Sequence, residues 1–236
     1  MIRFAFGVLA TIVAVQSLPP DALPPGEPAA VLDGRMIFDR LQRANEARAA
    51  ALSSYLSTRR YSVFEPGHEA NAELVVSMLF VAPSTKTFKT VTAHGVGWIH
   101  QRVFNQLMDA EVQAAGGKDQ ADSAITSANY DARFVRADRL RGRDCWVLSL
   151  TPKRRDKYLF SGSAWIDQED LAIARLEGEP AKSPSFWIVR APFVRDYQRV
   201  NQFWLPLQDE TRSHIRFAGD YVLRIQYADY QITALR

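Results

Sequence analysis

Between Lys157 and Asp167 the chain reads KYLFSGSAWID, and its large groups alternate. Tyr158, Phe160, Gly162, Ala164 and Ile166 share one face, while Leu159 and Trp165 share the other with Lys157, Ser161, Ser163 and Asp167. A period of two marks a strand, and the face with Phe160 and Ile166 is expected to look inward. Gly162 is expected to ease the curvature there. Trp165 is expected outside, beside aromatics of a neighbouring strand or at a partner surface.

The same test applied along the chain predicts the other elements. Ile37, Leu41, Ala44, Arg48, Leu52 and Tyr55 follow a helical period, with Asp33 as N-cap, so a helix is expected from Val31 to Thr58. The period changes to two at Arg59–Phe64, and strands follow at Glu73–Val81 and Lys86–Val91, separated by Pro-Gly and Pro-Ser turns. A second helix is expected over Gly97–Ala115, with Ile99, Val103, Leu107 and Ala110 on one face and Gly116-Gly117 as its stop. From Tyr130 onward the pattern is antiparallel β: Asp131–Leu140, Cys145–Leu150, Tyr158–Asp167, Leu171–Glu177, Ser185–Arg199, Phe203–Phe217 and Tyr221–Ile232.

Two apolar helices need burial, and a long twisted sheet has one apolar face to offer. The economical arrangement is α+β and mostly antiparallel β: an unclosed half-barrel wrapped around helices that act as plug or lid. A groove between sheet and helices is where a ligand would sit. The inward candidates along β are Met78, Phe80, Trp146, Leu148, Phe160 and Ile166, followed by Tyr221, Leu223 and Ile225. The helix adds Ile99, Val103 and Leu107. Each of these positions also has the plainer role of a core residue.

Composition sharpens this picture in a few places. The 236 residues are 47% hydrophobic and 23% charged, with a net charge of +3. The charges of both signs are interleaved, which does not make the one-faced basic footprint of a nucleic-acid binder. One cysteine, Cys145, rules out a disulfide within the chain.

The N-terminus, MIRFAFGVLATIVAVQS, has a basic start at Arg3, an apolar run from Phe4 to Val15 and a small residue at Ser17. That is the pattern of a secretory signal over residues 1–17, with an uncleaved anchor as the alternative. Residues 18–30 are a Pro-rich spacer, and a single domain is expected over 31–236. The mature chain is expected to be periplasmic.

Catalytic patterns are missing. Ser161-Gly162-Ser163-Ala164 is no nucleophile elbow. His94 and His100 have the wrong spacing for a helix-borne zinc pair. The turn Asp167-Gln168-Glu169-Asp170 lacks the glycine and distal Glu of an EF-hand loop, and it reads first as a solvated hairpin tip. Cys145 beside Trp146 reads as a packed small hydrophobe. No cofactor, metal or enzymatic activity is expected. The basic tip Lys153-Arg154-Arg155 is either a soluble edge or a contact for anionic head groups during transient membrane contact.

Several stretches together resemble a known family. They are Asn129-Tyr130, Gly142–Lys153 (GRDCWVLSLTPK), Gly162–Asp167 (GSAWID), Ala174–Gly178 (ARLEG) and Phe203–Pro206 (FWLP). They resemble the outer-membrane lipoprotein-sorting proteins of the LolA/LolB-like superfamily, over roughly Val31 to Ile232. The resemblance implies an unclosed β-barrel lidded by helices and a carrier that shields acyl chains of lipoproteins or another lipid in the periplasm. The same fold hosts envelope regulators, so an envelope protein partner is the alternative. No ligand residue of the family matches one to one here.

Overall fold

Asp33 accepts a hydrogen bond from the Arg35 amide at 2.9 Å and so caps helix α1 (Gly34–Ala51), as its position predicts. The computed structural model describes residues 33–183 and 185–235, so the expected export segment and Pro-rich spacer lie outside the described residues. Ile37, Phe38 and Leu41 form the buried stripe of α1. Its first turn lies directly on the sheet: a Cβ at Gly34 would stand 2.3 Å from the Phe134 amide nitrogen, so only glycine lets the helix dock this closely.

The helix ends at Ala51, short of the expected Thr58, and β1 (Leu52–Phe64) takes over. The reason is a register shift between Leu52 and Ser54 in the pairing of β1 with the last strand. Such a bulge lets Leu52 and Tyr55 both face inward three residues apart, which mimics a helical period. From Tyr55 the alternation is strict: Tyr55, Ser57, Arg59, Tyr61 and Val63 are all buried. Two of those residues are polar, so hydropathy concealed the strand.

A meander of β2 (Ala70–Val81) and β3 (Thr85–Gly95) follows. The expected second helix is α2 (Gly97–Ile99), a π-turn over His100–Phe104 and α3 (Asn105–Ala114), and a short α4 (Gly117–Ser123) comes next. The chain then alternates strand and turn: β4 (Tyr130–Leu140), β5 (Arg143–Pro152), β6 (Phe160–Asp167), β7 (Ala172–Pro180), β8 (Ile188–Arg190), β9 (Phe193–Val200), β10 (Phe203–Ile215) and β11 (Gly219–Ala234).

The single strand expected over Ser185–Arg199 is instead split at Ala191-Pro192. Pro192 has no amide hydrogen to give a ladder, and β8 pairs with β10 alone. Likewise β6 starts at Phe160, after Tyr158, whose hydroxyl donates to Asp119 at 2.8 Å.

The strands form one antiparallel sheet in the order β3-β2-β1-β11-β10-β9-β7-β6-β5-β4, with β8 beside β10. Its end strands, β3 and β4, do not pair with each other, so the sheet is unclosed, as expected. Gly162 faces Gly178 across β6 and β7, and a Cβ on Gly162 would fall 1.9 Å from the Glu177 carbonyl oxygen. The close approach of these strands requires glycine there.

Apolar burial divides into separate clusters. One joins α1 to β4–β7 and holds Leu148, Phe160 and Ile166, with Trp146 packed at its margin. Another lies under α2, the π-turn and α3, and holds Ile99, Val103, Leu107, Leu223 and Ile225. A smaller one holds Leu52, Tyr55, Met78, Phe203 and Leu205, with Phe80 against it. Trp165, expected outside, is instead buried in the α1 cluster at a register shift between β6 and β7, with Arg136 of β4 over its ring at 5.8 Å and its indole donating to Asp138 at 3.0 Å.

Candidate functional site

Helix α2, the π-turn and the β10–β11 hairpin enclose a cavity of about 400 Å³. Alternation places Val63, Ile215, Tyr221 and Leu223 on its sheet wall, and the helical face contributes Ile99 and Val103. The π-turn keeps Ile99, Val103 and Leu107 on one buried face and leaves Arg102 exposed beside them. Such turns recur at functional sites because they re-aim side chains within a helix.

The rim is unusual for a soluble surface. Trp98, Trp187 and Phe217 line the cavity and are 55%, 38% and 92% exposed, and Phe186 is 71% exposed against Trp187. Phe217 is held at φ 65° at the hairpin tip. A bulky residue in left-handed backbone and in full contact with water is costly on both counts, which points to a role outside folding.

Next to the cavity the sheet interior is charged. Arg59 Nη1 donates to Glu111 Oε2 at 2.6 Å, and Lys86 Nζ donates to Glu111 Oε1 at 2.7 Å. This ties α3 to β1 and β3. Arg195 grips Asp209 through two bonds of 2.6 Å, and the Tyr227 hydroxyl donates to the same carboxylate at 2.8 Å. Arg59 also lies over the rings of Phe88 and Tyr227, at 5.3 and 5.1 Å.

Burial opposes ionisation of Glu111, but Arg59 and Lys86 outweigh it and hold the carboxyl well below the usual range. Burial pulls Lys86 below its ordinary value, with Glu111 opposing. Burial pushes the Tyr55 and Tyr61 hydroxyls up to about 12. Lys86 and Phe80 meet at a second cavity of about 600 Å³, between the end of α1 and the β2–β3 turn.

The sequence-predicted residues are therefore dispersed. Ile99, Val103, Tyr221 and Leu223 line the cavity under the helices. Leu107 and Ile225 pack in the cluster around it. Phe80 borders the second cavity, and Met78 is buried in the small cluster. Trp146, Leu148, Phe160 and Ile166 pack with α1 in the other half.

The basic tip is engaged within the protein. Lys153 donates to the Ser127 carbonyl at 2.6 Å, Arg154 to Asn129 at 2.6 Å and to the Asp122 carbonyl at 3.0 Å, and Arg155 to the Ala181 carbonyl at 3.4 Å. None of the three lines the cavity. The acidic turn is filled by a cation of the protein itself, since Arg143 reaches Glu169 and Asp170 at 3.1 Å each. No cluster of metal-ligating side chains occurs among the described residues. Cys145 is buried, and burial pushes its thiol up to about 11, which keeps it protonated at neutral pH.

No family model matches the chain, and no curated protein matches it. Solved structures do. The chain resembles a LolA superfamily protein from Nitrosomonas europaea at 12% identity and TM-score 0.42, over 87% of this chain and 96% of that one. A domain described as outer membrane lipoprotein-sorting from Vibrio parahaemolyticus is similar at 11% identity and TM-score 0.49, over 85% and 92%. The Pseudomonas aeruginosa MucA/MucB complex is similar at 13% identity and TM-score 0.31, over 85% and 100%.

Sequence reasoning missed Trp187, Ser213, Ile215, Arg216 and Phe217 as cavity residues. A large aromatic just before the Ala218-Gly219-Asp220 turn, where polar residues are the rule, was the signal available. Arg59 on the inner face of β1 left no such signal, because its partner Glu111 is distant in sequence.

Proposed function

We propose that the chain is a non-enzymatic periplasmic carrier or chaperone that takes a lipid or lipoprotein acyl chain into the cavity under α2 and the π-turn. The observation that carries this reading is the coincidence of an apolar, ligand-sized cavity with exposed Trp98, Trp187 and Phe217 at its rim. Pockets that hold small ligands span about 300–1,000 Å³, and about 400 Å³ is the measure here. Each buried methylene contributes about 0.8 kcal/mol, so apolar contact alone can supply the affinity. The ion pairs from Glu111 to Arg59 and Lys86 would hold the helical lid in register over the sheet.

The test is native mass spectrometry of the full chain after export in a bacterial periplasm, followed by extraction. The expected result is about one lipid per chain, lost in Val103→Asp with the circular dichroism spectrum unchanged. A chain that stays lipid-free after incubation with lipids and an acylated peptide would overturn the reading. The exposed Phe186–Trp187 pair and Phe217 favour one alternative, an envelope sensor whose rim binds a protein partner. That alternative requires a lipid-free chain whose partner is released by Phe217→Ser.

A further inference from the structure

The residues that line the cavity under the helices include no carboxylate, yet they include two arginines, Arg102 on the π-turn and Arg216 at the hairpin. Both residues are exposed, and neither has an ion-pair partner among the described residues. Arg216 is held over the Phe186 ring at 4.6 Å, while its amide donates to the Trp187 carbonyl at 2.8 Å. The acid nearest along the hairpin, Asp220, is taken by His214 at 2.7 Å. A further observation comes from the wall itself. Ser213 is 4% exposed, lines the cavity, and its hydroxyl finds no hydrogen-bond partner among the described residues. A buried hydroxyl without a partner calls for one.

We infer that this cavity selects a single-chain amphiphile with an anionic head, a carboxylate or a phosphate monoester. The inference rests on the proposed apolar-ligand reading and adds the class of ligand. The tail fills the space between Val63, Ile99, Val103 and Leu223, and the head lies between Arg102 and Arg216. Guanidinium groups suit both heads because they present paired donors to carboxylate or phosphate oxygens. A volume at the low end of the ligand-pocket range suits one chain rather than several. A cationic head would face two like charges, and a neutral one would gain nothing from them.

The experiment is calorimetric titration of the full chain, below the micelle limit, with laurate, dodecyl phosphate, dodecanol and dodecyltrimethylammonium. The expected result is that an anion binds about tenfold more tightly than the alcohol, with the advantage shrinking as salt rises. The tighter of the two anions distinguishes a fatty-acid source from a phosphate one. In Arg102→Gln/Arg216→Gln the anions should fall to the level of the alcohol while the alcohol itself binds as before. Equal binding of alcohol and anions by the unaltered chain overturns the head-group inference and leaves the apolar cavity standing. Failure of all four to bind overturns the single-chain inference; only a chain that also stays lipid-free with lipids and an acylated peptide overturns the apolar-ligand reading beneath it.

Discussion

The two halves of the sheet are built on opposite plans. Where α1 packs on β4–β7, the interior is apolar and filled, from Leu41 and Ile37 to Phe160, Ile166 and Leu176. Even its buried cation, Arg48, is answered by the carbonyls of Asp170 and Leu171 at 2.8 and 2.6 Å. Where α2, the π-turn and α3 cover β1, β2 and β11, the interior mixes apolar side chains with the Arg59–Glu111–Lys86 group, and a cavity opens at the rim. The difference teaches how one sheet can serve two ends. The α1 half is packed as a core is packed. The other half holds its lid by charges, leaves apolar space beneath it and exposes aromatics around it.

Perturbations of each half should therefore separate stability from binding. The largest effect is expected from Phe160→Ala, which should lower unfolding free energy by about 3–5 kcal/mol. Lipid occupancy of the molecules that remain folded should not change. Chemical denaturation followed by native mass spectrometry checks both; a loss of occupancy would show that the α1 half forms part of the site.

Glu111→Gln should cost about 3 kcal/mol or more, because it leaves Arg59 and Lys86 buried without their anion. The sign with pH is definite. The folded-state carboxyl of Glu111 titrates below its ordinary 4.5, so its stabilisation is complete above that value and is lost as pH falls towards the folded-state one. Urea midpoints at neutral pH should thus differ widely between the unaltered chain and the variant, and the gap should narrow in acid. A gap that stays constant would show that the ion pairs of Glu111 with Arg59 and Lys86 do not carry this stabilisation.

Gly162→Ala should cost about 1–3 kcal/mol, because the added Cβ meets the Glu177 carbonyl oxygen and the strands must part; thermal unfolding reads it. The smallest stability effect belongs to Phe217→Ser, within about 0.5 kcal/mol, since that side chain is almost wholly in water. If the rim serves ligand capture, this variant should nonetheless lower lipid occupancy. Unchanged occupancy would confine the site to the cavity wall.

Much of the architecture was legible in the sequence because it rests on local rules. Asp33 caps α1, and Gly116-Gly117 separates α3, which ends at Ala114, from the short α4 that the sequence did not announce. The errors have specific causes. A bulge brought Leu52 and Tyr55 to helical spacing, and Pro192 broke one long strand into β8 and β9. The inward face of β6 was placed correctly, since Phe160, Ala164 and Ile166 are buried together, but inward did not mean near the cavity.

On its own, then, the sequence determined the mixture of helices and antiparallel strands and the inward face of strands such as β2 and β11. These follow from backbone and side-chain preferences acting over a few residues. Only the tertiary structure decided which inward residues share a compartment, that Arg59, Lys86 and Glu111 meet, and that Arg102 and Arg216 line one cavity. Strand order and sheet curl bring together positions far apart in the chain, and no local period records where such positions meet.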